Sequence, residues 1–293
     1  MGAHVAANGL DIWTEQLGSG PDVLLIGGAG DTVESWQFQL DGLRDRYRLT
    51  AFDNPGAGRT AMPAGPLTVP GMADDAAAVL DALGIRSAHV AGFSGGSIVA
   101  QELALRRPEL VRSLVLQGTW ARPDTYLRTW LEFAGRLAAI APSERAFLEA
   151  FFLDVYTPRA YDDGTVAAFI DGVLDFPYKQ SAEDLHTYLR ALGEHDATSR
   201  LPRVNTPALV LAGSIDLVGR PELGRVVAEL IPGAVFEVQD GEAHQPFQEV
   251  PDAWNARVAA FWQDVEARHT APPRPREADA GEQVPTAVDP RAT

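Results

Sequence analysis

The chain has 293 residues, with 40 Asp and Glu against 24 Lys and Arg, six His and no Cys. A net charge of -16 argues against a nucleic-acid surface or docking on anionic lipid, both of which need a basic face. The lack of cysteine removes disulfides, thiolate metal sites and cysteine nucleophiles. An apolar content of 46% is that of a globular chain, long enough for one large domain or two small ones.

The charge is spread along the sequence, as on a solvated surface. No apolar run reaches the length of a membrane span, and the N-terminal stretch has no basic start followed by an apolar block. A cytoplasmic protein is therefore expected. Lysine occurs once, at Lys179.

In chain order, Asp22 to Ile26 is a buried-strand pattern that runs into Gly27, Gly28 and Gly30. Tyr47 to Phe52 is a second strand and ends at Asp53. Met72, Ala76, Val79, Leu80 and Leu83 share one helical face, with Gly84 as the stop. Ser87 to Ala91 predicts a third strand, Ile98 to Arg107 a helix ending before Pro108, and Arg112 to Gln117 a fourth strand. This alternation is that of βαβ units and a parallel sheet.

From residue 121 to 200 the apolar spacing is helical. Thr157-Pro158 reads as an N-cap with proline in the first turn, and Ser181 to Asp184 as a capping box. The strands then resume with Ala208 to Ala212 and Val235 to Gln239. Helices follow each of them, from about Glu222 to Leu230 and from Ala253 to about Arg268. The expected fold is α/β, a mostly parallel, doubly wound sheet with a helical cap insertion. Its core is 1–119 and 204–269, and its cap 120–203. The stretch 270–293 is rich in proline and without aromatics, so it is expected to be disordered.

The strongest chemical signal is Gly92-Phe93-Ser94-Gly95-Gly96, between a predicted strand and a predicted helix. That is the context of a nucleophile elbow, in which a tight turn lifts a serine hydroxyl off the end of the sheet. The competing reading, a phosphate-binding turn, lacks the usual glycine spacing and a nearby lysine. A serine at its ordinary pKa needs a base oriented by a carboxylate. Asp216 and His244 supply both, in the expected chain order and just past strand ends, where open parallel sheets place their sites. Asp124 and Asp240 are rival acids, but Asp124 falls seven residues beyond its strand. His89 reads as a core residue, His4 and His269 as surface residues, while His186 and His195 fall in or near the cap, where either could reach substrate. No His and carboxylate spacing suits a metal, and neither metal nor cofactor is expected.

These segments resemble the capped α/β-hydrolase family from about residue 8 to 268. The resemblance rests on Gly92 to Leu116, Leu201 to Asp216, His244 to Pro251 and the turn Asp53-Asn-Pro-Gly-Ala-Gly-Arg-Thr60. It implies an oxyanion hole made by the backbone N–H groups of Gly95 and of Ala29, the latter placed by counting from Trp36. Two positions depart from the pattern: Gly27 stands at the usual histidine, and Ala243 at the usual glycine. Gly28, Phe93 and Trp120 are candidates for substrate contact. The resemblance implies a serine hydrolase acting on a small-molecule ester or lactone, with no nucleic-acid or membrane partner. Similar triads also serve carbon–carbon bond hydrolysis, perhydrolysis and acyl transfer, and a non-catalytic binding protein would keep the pocket without the chemistry.

Overall fold

The computed structural model describes residues 2–270, so the stretch expected to be disordered lies outside the described residues from position 271 on. Eight strands form one sheet: β1 (Ala3–Ala7), β2 (Leu10–Gly18), β3 (Asp22–Ile26), β4 (Arg48–Phe52), β5 (Ala88–Phe93), β6 (Val111–Gln117), β7 (Ala208–Gly213) and β8 (Val235–Gln239). Their spatial order is β1-β2-β4-β3-β5-β6-β7-β8. The pairs β1–β2 and β2–β4 are antiparallel, and all the others are parallel.

The helices are α1 (Gln37–Leu43), α2 (Val69–Ala82), α3 (Gly95–Arg106), α4 (Thr125–Ile140), α5 (Glu144–Phe152), α6 (Pro158–Asp162), α7 (Thr165–Asp175), α8 (Ala182–Gly193), α9 (Pro221–Leu230), α10 (Pro246–Glu249) and α11 (Pro251–Thr270). Alternation along β3 distributes them. Leu24 and Ile26 join a core with Val69, Met72 and Ile98 of α2 and α3. Val23 and Leu25 face the other way and join Leu40, Trp254, Val258 and Trp262 of α1 and α11. A strand buried on both faces is what a doubly wound sheet requires, and it explains the unbroken apolar run in the sequence.

No strand is expected before Asp22, yet the structure has two. Their turn is Asn8-Gly9, with φ of 49° and 81°. Two positive φ values in a two-residue loop suit the twist of a hairpin, and Asn-Gly is the pair that best adopts them. Helix α3 also starts earlier than its apolar spacing predicts, at Gly95 rather than Ile98. Glycine weakens a helix in isolation, but here the elbow fixes the first turn from outside.

Helices α4 to α8 all lie between β6 and β7. Capping hydroxyls and carboxylates start four of them: Asp124 accepts from the Leu127 N–H, Ser143 from Ala146, Thr157 from Ala160 and Ser181 from Asp184. The two ends of this excursion meet, because the Ala197 N–H donates to the Ala121 carbonyl at 2.9 Å.

Candidate active site

In this sheet the chain leaves β3 for one side and then returns to β5, next to it on the other side. Such a switch point opens a crevice at the strand C-termini, and Ser94 follows β5 there. Its backbone has φ 51° and ψ −120°, an unusual conformation for a residue with a side chain. The flanking glycines make this possible. A Cβ on Gly92 would lie 2.4 Å from the Gly96 carbonyl oxygen, and one on Gly96 would lie 2.1 Å from that of Ile26. The turn is pinned by the Ser94 N–H donating to the Gln117 carbonyl at 2.9 Å and by the Ser97 hydroxyl donating to the Ser94 carbonyl at 2.5 Å.

His244 and Asp216 come together as the sequence predicts. The imidazole Nδ1 lies 2.7 Å from Asp216 Oδ2. Asp216 Oδ1 accepts the N–H groups of Val218 at 2.7 Å and Gly219 at 2.9 Å, so both carboxylate oxygens are engaged and the group is fixed in orientation. The His244 N–H donates to the Val155 carbonyl at 3.1 Å, which ties the histidine loop to the helical insert. Phe93 packs its ring 4.7 Å from the imidazole and 4.7 Å from the Phe247 ring. Ser94, Asp216 and His244 are 8%, 3% and 3% exposed. An imidazole held at Nδ1 by a buried carboxylate keeps Nε2 as its working nitrogen, the arrangement of a general base.

The rival acids are elsewhere. Asp124 caps α4 and pairs with Arg220; burial, the largest single effect, pushes its carboxyl up, but the Leu127 N–H and Arg220 together outweigh it and hold the carboxyl below its usual range. Asp240 accepts from Ser214 at 3.5 Å. His89 is wholly buried, with Nδ1 2.7 Å from the Ser113 hydroxyl and Nε2 3.1 Å from Glu266. His195 is buried beside Glu102, its Nδ1 3.7 Å from the carboxylate. Neither histidine borders the cavity described below.

The glycine loop after β3 contains a residue that the sequence analysis misses. Asp31 Oδ2 accepts the Gly28 N–H at 2.7 Å. The Gly28 N–H is thereby engaged within the loop itself. A Cβ on Gly27 would lie 2.7 Å from Asp31 Cβ, so the space for a side chain at that position is taken by Asp31. This accounts for the missing histidine. Burial pushes the Asp31 carboxyl above its usual pKa, against the opposing pulls of Gly28, Ser35 and His244. The local signal is an Asp directly after Gly28-Ala29-Gly30, a carboxylate within reach of the loop's own N–H groups.

The Asp53 turn braces the same loop. Asp53 Oδ1 accepts the Val33 N–H and Oδ2 the Arg59 N–H, both at 2.8 Å, and Asn54 donates to the Gly27 carbonyl at 2.8 Å. Arg59 pairs with Asp53 and Glu34. Its guanidinium also lies over Trp13, Phe176 and Tyr178, at 4.9, 5.0 and 5.1 Å from the ring centroids.

A cavity of about 640 Å³ opens between the loop and the helical insert. Its walls include Phe147, Phe151, Phe152, Phe169, Phe176 and Tyr178, so the cap aromatics divide into these and others, such as Trp130 and Phe133, that lie outside it. At its inner end stand Ala29, Asp31 and Gln245, chain neighbours of the Gly28 and His244 positions. Ser94 and His244 are not among the residues that line the cavity, though a Cβ on Gly28, next to Ala29, would lie 3.0 Å from Ser94 Cβ. Of the candidates for substrate contact, Gly28 has its N–H engaged by Asp31, Phe93 supports the imidazole from below, and Trp120 is fully buried in the core. Salt-bridged Lys179 and Glu144, 2.6 Å apart, border the cavity on the outside. Among the described residues no group of three or more His, Cys, Asp and Glu could hold a metal ion, and no helix is long and apolar enough to cross a membrane.

Fold and sequence place the chain in a known family. A family model for the alpha/beta hydrolase fold matches residues 21–145. A protein of Azorhizobium caulinodans provisionally named the carbamate hydrolase RutD is 33% identical over 260 residues, 87% of this chain and 96% of its own length. The chain therefore belongs to the α/β-hydrolase family. A Mycobacterium tuberculosis protein provisionally named the non-heme bromoperoxidase BpoC is also 33% identical, over 85% of this chain and 97% of its own. Among solved structures, a hydrolase from Pseudomonas aeruginosa superposes with a TM-score of 0.80 at 26% identity, covering 89% of this chain and 98% of that one.

Proposed function

We propose that the chain is a serine hydrolase that cleaves a carboxylic ester or lactone through an acyl-enzyme. The observation that carries this reading is a histidine held at 2.7 Å by a buried aspartate, in a chain that also sets a serine at φ 51° on an elbow. Ser94 Oγ attacks the carbonyl carbon while His244 Nε2 takes its proton. Asp216 stabilises the imidazolium and fixes its tautomer. The N–H groups of Ala29 and Gly95 receive the oxyanion, a contribution of several kcal/mol to the barrier in such sites. His244 then protonates the departing alkoxide, and water, activated by the same imidazole, releases the acid. The aromatic-walled cavity supports an apolar substrate.

The relative named for carbamate hydrolysis favours a second reading, in which the same serine attacks a carbamate carbonyl. Wild type and Ser94→Ala are assayed on p-nitrophenyl esters of rising chain length, a lactone series and simple carbamates, with fluorophosphonate labelling alongside. Ester or lactone turnover and labelling lost together in Ser94→Ala support the proposal. Turnover confined to carbamates supports the second reading. Wild type inert to every substrate and to the label would refute both.

A further inference from the structure

The inner end of the cavity is more polar than an apolar acyl pocket needs. Asp31 and Gln245 are 8% and 7% exposed, and both face the cavity. The Gln245 Oε1 atom is buried without a hydrogen-bond partner among the described residues, and so are both amide atoms of Gln180, which borders the same cavity. A Cβ on Gly30 would stand 4.0 Å from Gln180 Oε1, which puts that amide beside the glycine loop and near Asp31. Gln245 directly follows His244 in the chain and lines the same cavity. Three elements that are far apart in sequence therefore line one cavity with polar side chains, and two of them, Gln180 and Gln245, carry buried atoms without partners, while Asp31 already accepts the Gly28 N–H through Oδ2.

The inner end is also close to the reacting atoms. A Cβ on Gly28 would lie 3.0 Å from Ser94 Cβ and 3.3 Å from Asp31 Oδ2. The carboxyl is thus two van der Waals contacts from the serine, within reach of a substituent on the first or second carbon of a bound acyl group. Asp31 forms no ion pair with Arg or Lys among the described residues, and the Tyr156 hydroxyl donates to Gln248 at 2.6 Å. The unpartnered atoms are two acceptors, Gln245 Oε1 and Gln180 Oε1, and one donor, Gln180 Nε2, and a hydroxyl can both donate and accept. Buried acceptors without partners are costly, and a ligand that brings a donor relieves the cost.

We propose that Asp31, Gln245 and Gln180 form a subsite that reads a hydroxyl on the α or β carbon of the acyl group, making the substrate a hydroxy-acyl compound with an apolar body. This rests on the hydrolase reading above for the placement of the acyl carbon. Sites built to hydrogen-bond a substrate hydroxyl reject the analogue that lacks it far more strongly than apolar pockets discriminate by size.

The test compares ethyl octanoate with ethyl 2-hydroxyoctanoate and ethyl 3-hydroxyoctanoate, as kcat/KM ratios within each protein so that partial loss of folded enzyme cancels. Wild type is expected to favour one hydroxy ester by about tenfold or more. Asp31→Ala and Gln245→Leu should bring that ratio close to one. No preference in wild type, or a preference that both variants retain while all three rates fall together, overturns the subsite and leaves Asp31 as a support of the glycine loop. Calorimetric binding of the same esters to Ser94→Ala gives a readout independent of turnover. Tighter binding of the hydroxy ester, with no hydrolysis of any ester by wild type and no labelling of Ser94, would keep the subsite and refute the hydrolase reading. Equal affinities would refute the subsite even if esters are cleaved.

Discussion

Gly118 and His244 stand in direct contact, and the glycine has no room for anything larger. A Cβ at Gly118 would lie 2.8 Å from His244 Cε1 and 3.0 Å from Nδ1, and its φ of 60° is itself unsuited to a side chain. Gly118→Ala should therefore displace the imidazole from Asp216 while leaving the sheet intact. We expect kcat to fall by about 10²-fold, the typical cost of an ångström-scale misplacement, with KM little changed. Steady-state kinetics on the best ester of the panel, with circular dichroism to verify the fold, checks this. Full activity would show that the imidazole position is not limiting.

Asp216→Asn keeps the size of the side chain but changes its hydrogen bonding. The amide that replaces one oxygen would oppose either the N–H groups of Val218 and Gly219 or the protonated Nδ1 of His244. The wrong imidazole tautomer is then favoured, and kcat should fall by about 10³ to 10⁴-fold. Fluorophosphonate labelling should slow in parallel. Rates within tenfold of wild type would argue against Asp216 as the orienting acid.

Arg59 joins the sheet domain to the cavity wall. It pairs with the wholly buried Asp53 and lies over Phe176 and Tyr178, which both line the cavity. Arg59→Leu leaves a buried carboxyl without its cation and removes the guanidinium from three rings. We expect a loss of roughly 3 kcal/mol in stability and a rise in KM larger than the fall in kcat, because the wall moves and the reacting groups do not. Denaturant melts and Michaelis parameters test the two halves separately.

How much of this was legible in the sequence depends on the kind of signal. The elbow at Ser94 and the order Ser94, Asp216, His244 are local patterns on strand ends, and the structure brings the last two to 2.7 Å. The hairpin before Asp22 had a readable turn in Asn8-Gly9, but its strands are half-exposed and lack the apolar run that marks β3. Gly118 and Asp31 could not be read as site residues. Gly118 matters because of His244, distant in sequence, and Asp31 because its loop folds the carboxylate back onto Gly28 and fills the space beside Gly27, and no periodicity encodes either contact. The division of the cap aromatics into cavity wall and packing is likewise set by tertiary geometry.

Buried His195 gives stability a pH dependence of known sign. Desolvation lowers its pKa from 6.5 to about 4, despite the nearby Glu102 carboxylate. Between these values the unfolded chain binds a proton that the folded protein does not, so stability is lost as pH falls from about 6.5 to 4 and is level above that window. His195→Gln removes this titration. The stability of wild type relative to the variant should decline over the window by roughly 3 kcal/mol, measured by urea melts at a series of pH values. A constant difference would mean that His195 titrates alike in both states.

The hydrogen bond between Ala121 and Ala197 has a consequence for how the protein can change. Five helices leave the sheet and return to it at one point, so the excursion is a closed bracket whose contents do not affect the spacing of the strands on either side. The residues of the elbow, the acid turn and the histidine loop all lie outside that bracket. Helices from a relative, joined at the same two alanines, would replace most of the aromatic wall, provided they keep the packing of Tyr188 and Leu192 on Gly95 and the Val155 carbonyl that holds His244. Within this architecture, most of the cavity wall can be exchanged as one continuous segment with no change to the sheet.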